Sequence, residues 1–152
     1  MHSFTVRAVR GIIPMEVLRV NQQEDLYTRL LSDLQQINLP TDEVDIHLRP
    51  FSKTYYGRYF PVHNDKEQKP KIYLYPYEDT EGNLMSYDQI FTTAVHEFCH
   101  HIQYSNNCFI RNKGVMHDPQ FWLLHNHYLD RAVKFNLIGG VESEEELREH
   151  CL

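Results

Sequence analysis

Residues 87–104, YDQIFTTAVHEFCHHIQY, constrain the fold more than any other stretch of the chain. On a helix, with about 100° between successive residues, Phe91, Ala94, Val95, Phe98 and Ile102 gather on one side. His96 and His100 stack one turn apart, only about 40° around the axis from each other, roughly opposite that apolar stripe. Such a helix has a back that must lie on a core and a front that carries imidazoles. Its ends are marked as well. Ser86 followed by Gln89 forms a capping box, which starts the helix at about Tyr87, and the Asn-rich SNN after Tyr104 ends it.

The rest of the chain supplies what that helix would pack on. In EDLYTRLLSDLQQI (24–37), Leu26, Leu30, Leu31, Leu34 and Ile37 share a helical face, and Pro40 helps to stop the helix. In EVDIHLRP, Val44, Ile46 and Leu48 alternate with Asp45, His47 and Arg49, the pattern of a half-buried strand. KTYYGRYFPV (53–62) is aromatic and β-prone, with Gly57 as a bulge or turn. HNDKEQKPK reads as a polar loop. KIYLYP is a third strand, with Ile72 and Leu74 on one face and Tyr73 and Tyr75 on the other, and Pro76 ends it or marks it as an edge. A last long helix is announced by Asp118 as N-cap and Pro119 at the first helical position. It is expected to reach about Leu137 and to stop at Gly139 and Gly140. The tail 141–152 reads as an acidic, solvated segment, with Ser143 and Glu146 as a second capping box. The order helix, strands, helix, helix implies an α+β fold with a small, mainly antiparallel three-stranded sheet.

At 152 residues the chain is read as one domain, 1–152, with a core over about 20–137. A hydrophobic fraction of 41% is enough to bury that core. A net charge of −6 argues against coating nucleic acid by bulk electrostatics. No apolar run is long enough to span a bilayer, and MHSFTVRAVRGII lacks a signal-peptide core and cleavage site. Cys99, Cys108 and Cys151 are odd in number, irregularly spaced and without a CxxC pair, which suggests neither a zinc ribbon nor a disulfide framework. The expected location is therefore intracellular, in the cytoplasm, with no membrane association.

Two imidazoles one turn apart can bind the same zinc ion, each at about 2.0–2.1 Å. Glu97 lies beside His96 and near the same front. Its carboxylate can reach a water on the metal, which the metal acidifies and the carboxylate deprotonates. This is the H-E-x-x-H logic of a zinc-dependent peptidase acting on protein or peptide. A catalytic zinc needs a third protein ligand and an open position. His117, in GVMHDPQFW at the mouth of the last helix, is best placed. His101 points about 100° aside from His100. His125 and His127 lie further along the last helix, and Asp130 is a less well placed acidic alternative.

TTAVHEFCHHIQY followed by MHDPQFW resembles the SprT-like group of zinc metallopeptidases, which includes the Spartan, WLM and YgjP-like branches. These carry HExxH on a helix and a third histidine in an H-[small/polar]-x-x-F pattern, often with Trp next. The resemblance covers about residues 20–136 and is specific over 92–104 and 114–122. It implies a zincin-like minidomain, zinc ligands at His96, His100 and His117, and Glu97 as the catalytic base. Asp118 stands where the family commonly has Gly, and the 152 residues contain no zinc ribbon or ubiquitin-binding module. A role in repair of DNA–protein crosslinks, known for some members, is therefore not carried over. Nucleic acid as a partner rests on family analogy alone, since Arg49, Lys53, Arg58 and Lys66 are scattered. The alternative reading is a non-catalytic zinc-binding module, regulatory or DNA-associated, on the same fold.

Overall fold

A computed structural model describes residues 15–61, 68–106 and 117–139. In chain order these form helix α1 (Met15–Gln36), a 3-10 turn (Thr41–Glu43), strands β1 (Asp45–Leu48), β2 (Gly57–Phe60) and β3 (Lys71–Leu74), and helices α2 (Tyr87–Ser105) and α3 (Pro119–Lys134). The architecture is α+β, three helices with one small sheet. Among the described residues no helix is long and apolar enough to cross a membrane. Cys108, Cys151, Lys66 and the Ser143–Glu146 box lie outside the described residues.

α1 begins at Met15, well before the expected Glu24, because MEVLRVNQQ is rich in good helix formers and contains no breaker. Leu30, Leu34 and Ile37 are fully buried, each worth about 1.5–3 kcal/mol against exposure. The helix is closed by an asparagine rather than by Pro40. Asn38 takes φ 68°, and the Leu39 N–H then donates back to the Leu34 carbonyl at 3.1 Å. α3 ends in the same way: Asn136 has φ 57°, and the Leu137 N–H donates to the Ala132 carbonyl at 2.9 Å. Both follow the left-handed C-terminal motif in which Asn can replace Gly. α3 therefore stops at Lys134, ahead of Gly139.

The sheet order is β1-β3-β2. β3 pairs in parallel with β1, Ile46 opposite Ile72 and Leu48 opposite Leu74. It pairs antiparallel with β2, Gly57 opposite Leu74 and Tyr59 opposite Ile72. The sheet is thus mixed, with one ladder of each kind, rather than mainly antiparallel. The chain reverses into β2 and again out of it, so β1 and β3 run the same way. The KIYLYP strand is central and not an edge. Pro76 lies beyond its last rung, where a missing N–H removes no ladder bond. On the outer face the Arg49 guanidinium lies over Tyr73, and Arg58 lies over Tyr55 and Phe60.

α2 forms the spine of the molecule. Its apolar stripe, Phe91, Ala94, Val95 and Phe98, is buried with Leu30 and Leu34 of α1, Ile46, Ile72 and Leu74 of the sheet, and Phe121, Leu129 and Ala132 of α3. The start of α2 is tied to α1, where the Tyr87 hydroxyl donates to Asp33 and the Arg29 guanidinium sits 3.5 Å from the Tyr87 ring centre. The front of α2 is covered as well. His96, Glu97, His100 and His101 are all buried, between β2 on one side and α3 on the other.

Candidate metal centre

Both site-bearing helices start as their capping residues dictate. The Ser86 side chain accepts from the Gln89 N–H at 3.3 Å, and the Asp118 side chain accepts from the Phe121 N–H at 2.9 Å. Between those caps, α2 places the His96 and His100 rings 5.0 Å apart, centre to centre. His117, the residue before the cap of α3, brings its ring to 4.6 Å from His96 and 5.0 Å from His100. One nitrogen from each of the three lies within 4.8 Å of the others, which is close enough to hold one metal ion. His117 Nε2 is 3.2 Å from His100 Nε2. Two nitrogens at 2.0–2.1 Å from a tetrahedral ion stand about 3.3–3.4 Å apart, so this spacing suits such an ion.

The chemistry of the donors fits a metal too. Among the described residues, neither ring nitrogen of fully buried His96 has a hydrogen-bond partner. A buried polar atom left in that state is costly, and a metal bond satisfies one of the two. Burial, then the neighbouring His100, His117 and His125, hold His96 well below the usual imidazole range. It is therefore neutral near pH 7, the form that ligates metal.

Glu97 lies under β2 and is 2% exposed. Its Oε2 has no hydrogen-bond partner among the described residues. Burial pushes its carboxyl up to about 8, with Arg58 opposing. The close fit depends on Gly57, because a Cβ there would stand 2.7 Å from Thr93 Cγ2 and 3.0 Å from Glu97 Cγ. Gly57 is accordingly neither a bulge nor a turn. It opens strand β2 and lets the strand approach the carboxylate.

The remaining candidates fall elsewhere. His101 is engaged on its own side of α2, where Nε2 meets Glu43 Oε1 at 2.9 Å and Nδ1 meets the Tyr59 hydroxyl at 2.8 Å. A carboxylate only accepts, so Nε2 is the donor in the contact with Glu43. Burial, then Tyr104 and Glu43, push the Tyr59 phenol far up, so it stays protonated. His127 and Asp130 are exposed and stand outside the histidine group. Tyr104 is exposed at the Tyr59 side, and Tyr128 is half-buried against the core. Buried Cys99 has its thiol pushed well up by burial, then by Glu97, as for a small hydrophobe.

Two more residues stand against the site: Phe121, which the sequence offers only as the end of the H-x-x-x-F pattern, and His125, which it offers only as a competing ligand. The Phe121 ring lies 4.9, 4.8 and 4.8 Å from His96, His100 and His117, forming one apolar wall to all three. Its position one turn after His117 was the available signal. His125, one turn further, is fully buried 5.7 Å from His96, with neither ring nitrogen hydrogen-bonded among the described residues. Burial, then His117, push it down to about 4. No protein-family profile, curated protein or solved structure matches the chain.

Proposed function

We propose that this chain is a zinc-dependent metallopeptidase of the SprT-like kind, with His96, His100 and His117 as ligands and Glu97 as general base. One observation carries the reading: three imidazole nitrogens converge within 4.8 Å, and the residue after His96 is a buried carboxylate with an unpartnered oxygen. A zinc ion held there supplies Lewis acidity, which acidifies water and polarises a peptide carbonyl. In the metal-free chain Glu97 keeps its proton up to about pH 8. A divalent charge held by His96, His100 and His117 would offset that burial and favour the carboxylate. Glu97 then takes a proton from the attacking water at Oε2 and hands it to the leaving amine.

The substrate is a protein or peptide, added as an extra strand. Both sides of β3 are already paired, so the extra strand is added at the edge of β2, whose Gly57 packs on Glu97. The enzyme reading is favoured over a non-catalytic zinc module because a purely structural metal site has no use for a buried acid with an oxygen that no described residue hydrogen-bonds.

Two measurements test the proposal. Zinc analysis should give one equivalent in the wild type and a marked loss in His117→Ala. Glu97→Gln should keep its zinc and lose hydrolysis in a broad peptide-library assay. Undiminished cleavage by that variant removes Glu97 from the mechanism, and wild-type protein that takes up no metal removes the site.

A further inference from the structure

The third histidine reaches the site from a different element than the other two. Something must therefore hold the start of α3 against the end of α2. A buried polar tie stands at that corner. Asp118, adjacent to His117, is 2% exposed. Its Oδ1 accepts from the Phe121 N–H at 2.9 Å and from Gln103 Nε2 at 3.1 Å. Gln103 is itself buried and lies on α2, three residues after His100.

We propose that Gln103 and Asp118 are positioning residues for the third metal ligand, tying the first turn of α3 to the turn of α2 that carries His100. The inference rests on the metal reading above and adds how that ligand is placed. The bond to Phe121 shapes α3 but does not say where α3 lies on α2. The bond to Gln103 adds that information. With one oxygen shared by two buried donors, the Asp118 side chain has a single arrangement. The backbone that leads into it from His117 is set with it. Bonds to a carboxylate are also the stronger kind in a buried setting. The result is a rigid bracket in which His117 Nε2 comes to 3.2 Å from His100 Nε2.

The test separates helix capping from the tie. Serine is a good N-cap but is too short to reach Gln103, whereas asparagine keeps an acceptor for both bonds. Zinc affinity of the full chain is measured by chelator competition for the wild type, D118S, D118N, Q103L and the D118S/Q103L pair. D118S and Q103L should each bind zinc about 10–100-fold more weakly, as removal of a group that orients a ligand does. D118N should remain near the wild type. The double variant should be no weaker than either single one, because both break the same bond. Wild-type affinity in D118S, or losses that add in the double variant, overturns the tie. Should D118S fail to fold, wild-type affinity in Q103L does so by itself. If the wild type takes no zinc, the metal reading fails separately. The tie is then decided by the proton–proton contact between the His100 and His117 rings in metal-free NMR spectra. That contact should be present in the wild type and lost in Q103L, and its persistence in Q103L overturns the tie.

Discussion

Gly57→Ala probes the close approach of β2 to α2. The added methyl would lie 2.7 Å from Thr93 Cγ2 and 3.0 Å from Glu97 Cγ. Relaxed carbon contacts lie at about 3.5–4.0 Å, so β2 must retreat by about 1 Å or the two α2 side chains must turn away. Overpacking of this kind costs about 1–3 kcal/mol. Alanine also stiffens the unfolded chain, which returns about 0.4–1 kcal/mol. The net loss is about 0.5–2 kcal/mol, a fall in Tm of a few degrees for a chain of this size. Under the proposed mechanism, shifting Glu97 by about 1 Å lowers kcat/KM by up to about 100-fold while bound zinc stays at wild-type level. Thermal unfolding, zinc content and peptide cleavage are measured side by side. Thr93→Ser removes Cγ2, the atom nearest the new methyl, and keeps the hydroxyl that donates to the Gln89 carbonyl at 2.9 Å. Adding Thr93→Ser should therefore restore much of the loss. Wild-type behaviour in Gly57→Ala, or no rescue in the pair, refutes the steric argument.

His125→Phe should raise the stability of the metal-free protein by about 1–3 kcal/mol, because it removes two buried nitrogens that have no partner. Its pH dependence has a definite sign. The imidazole falls from 6.5 to about 4 on folding, so the unfolded chain binds the extra proton between those values. Stability is complete above pH 6.5 and is lost as pH falls towards 4, by roughly 3 kcal/mol for this group. Denaturant titrations across that range should be shallower for His125→Phe than for the wild type, and equal slopes would contradict the assignment. Asn136→Gly should leave the urea midpoint unchanged or slightly higher. Asn136→Ala should lower stability by about 1 kcal/mol, since only the glycine accepts φ 57° without strain. Equal midpoints for the two would refute the left-handed closure of α3.

Much of the helical part was legible in the sequence. The Ser86–Gln89 box and the Asp118–Pro119 pair mark true helix starts because capping is local chemistry, readable within one turn. The apolar periods at Leu26, Leu30, Leu34 and Ile37, and at Phe91, Ala94, Val95 and Phe98, identify buried faces for the same reason. The meeting of His117 with His96 and His100 was legible as chemistry, three matching donors with one at a helix mouth. The helix stops were not, because Asn38 and Asn136 do what Pro40 and Gly139 seemed placed to do. Strands of four residues carry too little pattern to reveal their partners, so the parallel β1–β3 ladder and the edge position of β2 could not be read. The burial of the imidazole front was also hidden. Periodicity shows which residues share a face, not what lies over it, and here β2 and α3 cover it. Gly57, Gln103 and the Glu43–His101–Tyr59 array have meaning only through contacts between distant segments.

Residues Thr93–His101 form an unbroken run of buried positions in the middle of α2. A rod sheathed on every side can neither turn about its axis nor fray without opening the whole interior. Two of the three candidate donors and the acid thus ride on a stretch held from all sides. Under the proposed function, adaptation to a new target is left to the outward-facing side chains of the β2 rim, while the start of α3 stays fixed with its donor.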